Sequence, residues 1–403
     1  MSDEIYLSKL LEMRSNFSIK LITGFRGTGK LELLKALLEH LKSEGIAEEQ
    51  IVFINFEVVD DLTDFQKLYN YVNAKIENQS YAYLLFYGIQ KVKDWEKAVN
   101  AFFLGAPVEI YIADSNEKLL TEKIFHLLPD NCDILRMYPL SFSQYIKSLS
   151  VDVNEFTSPQ IDLDNFFHKY LRFGGMPVIS EYPVSENILR RLLTGLLNEA
   201  MLKDIVIRYS LRNSYLFQRI MKFLALNLGY PVRLKNLEKH FAEMNSNITL
   251  FTLDNYLNLI DESGFFKRIP RYDLKKNIFV NGNECYYCAD NGLCNALLEF
   301  DYYSEATLMK NSVCMELLRR GYKVYSPIIG TMSADFFAIS DNKKICIQVM
   351  PVEDRALQGK LLRPLHKLSE DVEKILISKT PIKLKDNVKN ILITDFLLNN
   401  DCY

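Results

Sequence analysis

The sequence predicts an α/β protein that begins with a parallel sheet, continues into a helical middle and ends in a smaller α/β region. Three observations predict this arrangement. Short β-rich runs alternate with segments of helical periodicity over residues 1–150. Helical periodicity dominates residues 165–263, and β-rich runs return after residue 263. Parallel strands need long crossovers that are usually helices, so the alternation at the start favours a parallel sheet with right-handed connections.

The strands of the first region are expected at five β-rich runs, which lie at residues 18–23, 51–57, 82–87, 108–113 and 132–138. A helix is expected between the first two runs, over residues 31–43. Its leucines fall on one helical face, as they must where an amphipathic helix packs on a sheet. They are Leu33, Leu34, Leu37, Leu38 and Leu41.

The middle of the chain changes character after residue 213. Helices are expected at residues 214–228, 232–243 and 250–263, and strands at 265–271 and 277–280 that continue to 286–287. Three helices followed by a hairpin is the order of a winged helix-turn-helix. We therefore expect such a unit in this part of the chain.

The last region again mixes helices and strands. Helices are expected at residues 306–320 and 362–374, and strands at 323–326, 335–339, 344–350 and 391–394. This order is consistent with a small α/β domain.

Composition excludes several protein classes. Of the 403 residues, 48% are hydrophobic and 25% are charged, which is average for globular proteins and excludes disorder, collagen and coiled coil. Apolar stretches fall well short of the roughly 20 residues that a membrane span needs, and the N-terminus is acidic, unlike a signal peptide. Seven cysteines, an odd number, do not suggest a disulfide framework. We therefore expect a cytoplasmic protein without membrane contact.

A glycine-rich loop follows the first predicted strand and leads into the first predicted helix. It reads Gly24-Phe25-Arg26-Gly27-Thr28-Gly29-Lys30, which is the spacing of a phosphate-binding loop in its required context. Glycines let backbone N–H groups turn toward phosphates, the helix N-terminus adds positive potential, and Lys30 can reach the outer phosphates. The expected nucleotide-binding residues are Gly24, Arg26, Gly27, Thr28, Gly29, Lys30 and Leu31.

The residues that would hold magnesium and activate water are missing from this motif. Leu31 stands where the motif has Ser or Thr, whose hydroxyl binds the cation. The neighbouring predicted strand ends in Tyr87-Gly88, where an acidic residue is expected. These departures argue against a conventional hydrolytic site and leave magnesium binding in question.

Several further motifs accompany the loop. They are Ile89-Gln90-Lys91-Val92 with Trp95, Tyr138-Pro139-Leu140-Ser141-Phe142, Phe173-Gly174-Gly175-Met176-Pro177, Lys203-Asp204-Ile205, the run from Tyr286 to Leu293, and Arg319-Arg320-Gly321-Tyr322. Together they resemble the prokaryotic AAA+-type P-loop ATPases of unknown function in which a restriction-nuclease-like domain follows the ATPase domain. The resemblance implies a nucleotide-binding domain at residues 1–150, a helical connector at 151–213, a winged helix at 214–292 and a nuclease-like domain at 300–403.

The resemblance also implies ATP or ADP as ligand. The family usually has Thr at position 31 and an Asp-Glu pair at positions 87 and 88, so this chain is a divergent member in which hydrolysis is expected to be weak or absent. Ser115 and Asn116 follow the strand that would sense the phosphate. Arg208 is a candidate trans-acting arginine, although an arginine at such a place is more often a solvated or paired helix residue.

The resemblance also implies a second site, which is likewise degenerate. A two-metal nuclease of this fold places a helix Glu, a strand Asp and an acid-x-Lys pair around the scissile phosphate. The corresponding residues here are Lys310, Asp335, Gln348 and Met350. Only Asp335 keeps an anionic oxygen, so we expect the fold without its cleavage chemistry.

Cys285, Cys288 and Cys294 have a spacing that is similar to that of metal ligands. No fourth Cys or His lies nearby in the sequence, so no metal is expected there either.

The charge of the middle region leaves DNA open as a partner. Residues 190–280 carry 15 basic and 8 acidic side chains, which favours non-specific phosphate contact. The predicted recognition helix, however, contains Asp254, Asp261 and Glu262 and no Lys or Arg. Packing or homo-oligomerisation through the winged helix is therefore an equal alternative.

For the whole chain, two alternatives to nucleotide binding without turnover remain. One is a residual ATPase with metal ligands from elsewhere, and the other is a partner-binding scaffold without nucleotide.

Overall fold

The computed structural model describes residues 2–14, 18–125, 131–149, 159–180, 185–211, 213–244, 248–341, 343–351, 355–384 and 387–399. The chain forms two compact units, Met1–Tyr138 and Pro139–Tyr403. Both units are mixed α/β structures, so the predicted fold class is confirmed.

The first unit is a five-stranded, entirely parallel sheet with helical crossovers. Its elements are α1 (Ser2–Glu12), β1 (Ile19–Thr23), α2 (Lys30–Ser43), β2 (Ile51–Asn55), α3 (Phe65–Ile76), β3 (Ala82–Tyr87), α4 (Trp95–Gly105), β4 (Val108–Asp114), α5 (Glu117–Phe125) and β5 (Cys132–Arg136). The strand order is β2-β3-β4-β1-β5. All five β-rich runs of the sequence form strands, whereas the pattern analysis did not identify α1.

The sheet of the first unit is covered on both faces, which explains why its strands read as nearly continuous apolar runs. Along β3, Leu84 and Phe86 join the cluster that contains Trp95. The alternate residues, Tyr83 and Leu85, join the cluster that contains the buried leucines of α2. Because successive side chains of a strand point to opposite faces, β3 anchors both cores and its carboxyl end is held firmly in place.

The second unit begins with helices and ends with a mixed sheet. The helices that come first are α6 (Phe142–Ser148), α7 (Pro159–Phe173), α8 (Pro177–Ser180), α9 (Glu186–Ala200) with a π-helical extension (Met201–Ile207), α10 (Ser214–Leu226), α11 (Leu234–Glu243) and α12 (Leu250–Glu262). The elements that follow are β6 (Phe266–Asp273), β7 (Ile278–Cys288), α13 (Asn291–Leu297), α14 (Glu305–Arg319), β8 (Lys323–Ile329), β9 (Met332–Ser333), β10 (Phe336–Ser340), β11 (Lys343–Met350), α15 (Arg355–His366), β12 (Glu373–Ser378), β13 (Val388–Leu392) and α16 (Ile393–Leu398).

The hairpin that follows the three middle helices belongs to the large sheet of the second unit. The strand order is β13-β12-β11-β10-β8-β6-β7, and β9 pairs with β8. Strand β6 pairs with β7 in antiparallel fashion and with β8 in parallel, with Arg271 opposite Ser326. The hairpin is therefore an integral part of the sheet, a feature that the sequence pattern did not indicate.

Two predictions about the last part of the chain are wrong. The helix expected over residues 362–374 ends at His366, and β12 begins at Glu373. Pro364 lies in the last turn of α15 and lacks the N–H that would continue the helix ladder. The final strand ends at Leu392, and residues from Ile393 onward form α16.

Two segments far apart in the sequence meet inside the second unit. The backbone N–H of Gly175 donates a 2.6 Å hydrogen bond to Asp290 Oδ2, and Leu293 N–H donates a 3.0 Å bond to Oδ1. A Cβ atom on Gly174 would lie 2.1 Å from Asp290 Oδ1, so only glycine fits there. Burial raises the pKa of Asp290 to about 6 although backbone N–H groups favour its charged form. Both segments were singled out by the family resemblance, and their contact gives them a structural role.

None of the helices in the described ranges combines the length and the apolar character that crossing a bilayer needs. The six cysteines that the structure describes are free thiols, and five of them are buried. Among the same residues no group of three or more His, Cys, Asp or Glu side chains comes together in a form that holds a metal ion.

Candidate functional site

The glycine-rich loop lies between β1 and α2, at the carboxyl edge of the parallel sheet. Gly24 has φ +147° and Gly29 has φ +92°, a region of backbone space that side chains with a Cβ rarely adopt. A Cβ on Gly24 would stand 2.3 Å from the carbonyl oxygen of Met137. The loop conformation therefore depends on glycine at these two positions, in keeping with a backbone cradle at the start of a helix.

Lys30 is folded over the loop. Its Nζ donates hydrogen bonds of 2.8 Å to the carbonyl oxygens of Gly24 and Phe25, and the residue is only 3% exposed. Thr28 Oγ1 donates a further 2.9 Å bond to the Phe25 carbonyl. These bonds hold the loop closed around its lysine, so the cation is already positioned at the N-terminus of α2.

The structure places the residues that depart from the motif at this same edge. Leu31 occupies the first turn of α2 with its side chain half-buried, and it offers no oxygen to a cation. Burial raises the pKa of Tyr87 to about 12, so its phenol is protonated at neutral pH and cannot replace a carboxylate. Gly88 follows with φ +74° and no side chain.

Two acidic residues that the sequence analysis missed lie in this site. Glu57 comes shortly after β2, and Asp114 is the last residue of β4, opposite Thr23 of β1. They share a narrow cavity with the loop, and the volume of this cavity is only about 10 Å³. Its lining residues are Arg26, Lys30, Glu57, Tyr87, Gly88, Asp114 and Ser115. No local signal in the sequence marks this pair, because their convergence depends on β2 and β4 flanking β3 in the assembled sheet.

Glu57 lies between two cations and beside Gly88. Its Oε2 lies 3.2 Å from Lys91 Nζ, and its Oε1 lies 3.9 Å from Arg26 Nη2. The same Oε1 lies 3.6 Å from the point where a Cβ would stand on Gly88. The backbone N–H of Glu57 donates a 2.9 Å bond to Asn55 Oδ1, which fixes the chain as it leaves β2. The carboxylate thus fills the space beside the residue that lacks a side chain.

The proposed sensor residues have different positions. Ser115 lines the cavity, whereas Asn116 is 1% exposed and its backbone N–H donates a 2.8 Å bond to Asp114 Oδ1. Arg208 lies in the second unit, where its Nη2 is 3.5 Å from Asp204 Oδ1. A sensor role for any of the three stays a prediction.

Three of the four residues of the expected nuclease-like site come together in the second unit. Lys310 Nζ lies 2.6 Å from Asp335 Oδ1, and Gln348 Nε2 donates a 2.6 Å bond to Oδ2. The backbone N–H of Val349 donates a further 2.8 Å bond to Oδ2. Met350 packs in an apolar cluster that includes Phe337 and Leu365. Both oxygens of Asp335 are therefore bound by groups of the protein itself.

The basic residues of the middle region are only partly available on the surface. Arg268 Nη2 donates a 2.8 Å bond to Asn258 Oδ1, and its guanidinium lies over the ring of Tyr286. Asn258, on the predicted recognition helix, is thus engaged within the protein. Lys275 and Lys276, at the turn between β6 and β7, are exposed.

Comparisons with known proteins agree with the geometry of the first unit. Residues 16–146 match the family model of an AAA domain, and residues 164–304 match that of a domain of unknown function. The chain is similar to an uncharacterized protein of Haemophilus influenzae, with 29% identity over 98% of each chain. It is 25% identical to an uncharacterized protein of Methanocaldococcus jannaschii over 82% of this chain and 74% of the relative. The AAA match spans the whole parallel sheet and its loop.

Similar solved structures include the Aeropyrum pernix ORC1 protein in complex with DNA, with a TM-score of 0.36 and 14% identity over 73% of this chain and 92% of that one. The Thermotoga maritima RuvB Holliday junction branch migration motor gives a TM-score of 0.34 and 16% identity over 66% of this chain and 89% of that one.

Proposed function

We propose that the first unit binds an adenine nucleotide, ATP or ADP, at the loop between β1 and α2, with slow turnover at most. The observation that carries this proposal is Lys30, whose Nζ lies against the carbonyl oxygens of Gly24 and Phe25 at the start of a helix. A phosphate would exchange these neutral acceptors for anionic oxygens, and charge-assisted hydrogen bonds are roughly twice as strong as neutral ones. The match of residues 16–146 to an AAA domain supports the same assignment.

Slow turnover follows from the side chains at three positions. Leu31 and Gly88 have no side-chain oxygen, and the protonated phenol of Tyr87 cannot hold a cation or accept a proton from water. Bound nucleotide would then act mainly as a ligand that favours one conformation of the chain. Such an effect requires different affinities for two conformational states.

Calorimetric titration of the full chain with ATP and with ADP, each with and without magnesium, tests this proposal. We expect binding by the parent and loss of binding in Lys30→Ala. Lys35→Ala is the matched control, because Lys35 is an exposed lysine of the same helix. An affinity that is equal in the parent and in Lys30→Ala would contradict the proposal.

For the second unit we propose a nuclease-like fold without cleavage chemistry. Lys310 supports this proposal, because its ammonium group is bound to the carboxylate that would otherwise coordinate a metal. Incubation of the full chain with supercoiled and linear DNA in magnesium or manganese should give no nicking above a buffer control. Cleavage that is lost in Asp335→Asn would overturn the proposal.

Weak DNA contact is a second candidate role for this unit. The exposed Lys275 and Lys276 at the hairpin turn favour it, since surface lysines bind phosphates without reading sequence. Fluorescence anisotropy with duplex DNA should show an affinity that falls steeply with salt and that weakens in Lys275→Ala/Lys276→Ala. Binding that is independent of salt would contradict this role.

A further inference from the structure

We propose that Glu57 replaces the carboxylate missing at position 88 and orients the water that attacks the nucleotide. This inference rests on the proposed binding of ATP at the loop and assigns a residue to its slow turnover. It begins from the sheet order. Strands β2 and β3 are parallel neighbours with Asn55 opposite Tyr87, so the residues that follow the two strands meet at one edge of the sheet.

The position of the carboxylate supports the replacement. Glu57 Oε1 lies 3.6 Å from the point where a Cβ would stand on Gly88. A Cβ at position 88 would therefore stand in ordinary van der Waals contact with the Glu57 carboxylate. The acid that follows β2 therefore lies directly beside position 88 and lines the same cavity as Lys30.

Two cations set the orientation of Glu57. Lys91 Nζ contacts Oε2 at 3.2 Å, and Arg26 of the loop approaches Oε1 at 3.9 Å. The second contact also offers a purely structural role, in which Glu57 holds Arg26 in place. The two roles differ in what they change: a counter-ion of the loop affects nucleotide affinity, whereas a water-orienting group affects turnover after binding.

The reaction would proceed as follows. The water oxygen forms a bond to the γ-phosphorus while the bond from that phosphorus to the β,γ-bridging oxygen breaks, and ADP leaves with the electron pair. Glu57 accepts a hydrogen bond from the attacking water, whose proton finally passes to solvent, so the products are ADP, phosphate and a proton. Asp114, which is 4% exposed and lines the same cavity, is the carboxylate that would hold magnesium, whose charge would offset that of the phosphate oxygens.

The test compares ATP affinity with single-turnover hydrolysis in the full chain. The variants are Glu57→Gln, Lys30→Ala and the control Glu49→Gln, an exposed glutamate of the same unit. We expect the parent and Glu49→Gln to hydrolyse ATP slowly but above Lys30→Ala. Glu57→Gln should bind ATP within about twofold of the parent and lose at least about 100-fold in rate, as the misplacement of a reacting group can.

Each other outcome has a defined meaning. Hydrolysis by Glu57→Gln at the parental rate overturns the inference. Loss of affinity and rate by the same factor assigns Glu57 to the support of Arg26 and also overturns it. ATP binding by the parent without turnover above Lys30→Ala overturns the inference and leaves the proposed function standing, whereas absence of ATP binding overturns both.

Discussion

Lys310 Nζ lies 2.6 Å from Asp335 Oδ1, so the positive charge beside this carboxylate comes from the protein itself. The pair is partly buried, with side-chain exposures of 27% and 11%. A lysine at this position cannot coexist with a metal ion on the same oxygen, because the two cations would repel each other. Lys310 therefore neutralises Asp335 at the site where the proposed nuclease-like fold would need a free carboxylate.

We expect Lys310→Met to lower the free energy of unfolding by about 1–3 kcal/mol, because it leaves Asp335 partly buried beside Gln348 without its cation. Urea unfolding of the full chain measures this change. Asp335→Asn in the same background should recover part of the loss, since it removes the uncompensated charge. Lys323→Met, at an exposed lysine of β8, is the control, and equal losses in the two single variants would contradict the expected effect.

Asp290 should make stability depend on pH. Its pKa is about 6 in the folded protein against 3.8 as the ordinary value, so between these limits the folded chain holds a proton that the unfolded chain has lost. Stability contributed by this group is full below pH 4 and falls by about 3 kcal/mol as the pH rises through 6, after which it is constant. Urea unfolding from pH 4 to pH 8 should show this fall.

Asp290→Asn is the matching variant, because an amide cannot take up or release the proton. Between pH 4 and pH 6 the free energy of unfolding should fall less in Asp290→Asn than in the parent, because the variant lacks the group that releases the proton. The variant is also expected to be less stable at pH 4, since one amide oxygen replaces the two oxygens that accept from Gly175 and Leu293. An identical pH profile in both proteins would assign the dependence to other groups.

Gly24→Ala should abolish nucleotide binding and destabilise the first unit. The new Cβ would stand 2.3 Å from the Met137 carbonyl oxygen on a backbone with φ +147°, so the loop or its neighbour must shift. We expect a loss of about 2 kcal/mol or more in thermal unfolding. Gly45→Ala is the control, because Gly45 also has positive φ but no heavy atom lies within 4 Å of its added Cβ. Equal effects would show that backbone strain alone, without the contact to Met137, explains the loss.

Asp114→Asn tests how the cavity responds to magnesium. The asparagine keeps the oxygen that accepts from Asn116 N–H, so the local fold should persist. We expect magnesium to strengthen ATP binding by the parent and to have a smaller effect on the variant, while affinity without metal changes little. Asp61→Asn, at an exposed acid after β2, is the control. A magnesium effect of equal size in Asp114→Asn would exclude this carboxylate as a ligand.

The sequence predicted the elements that have a local signal. The five strands of the first unit, the glycine loop and the three middle helices all have an apolar period or a glycine pattern that can be read without knowledge of the fold. Glu57 and Asp114 have no such signal, because their convergence depends on which strands are neighbours. The order β2-β3-β4-β1 is a property of the assembled sheet and could not be read from spacing along the chain.

The errors near the end of the chain have a similar cause. Strand β12, Glu373–Ser378, ends in four consecutive buried residues and lacks the alternation that marks a half-exposed strand, so the pattern did not predict it and the helix expected over 362–374 extended into its first two residues. The contact of Lys310 with Asp335 joins a helix to a strand and could not be read from the sequence.

The parallel pairing of β6 with β8 also limits how this protein can be divided. A fragment that ends near residue 292 would keep the hairpin but lose β8, and the edge of β6 would present unpaired N–H and C=O groups. Such an edge recruits strands from other molecules, so the fragment should precipitate rather than fold as an independent module.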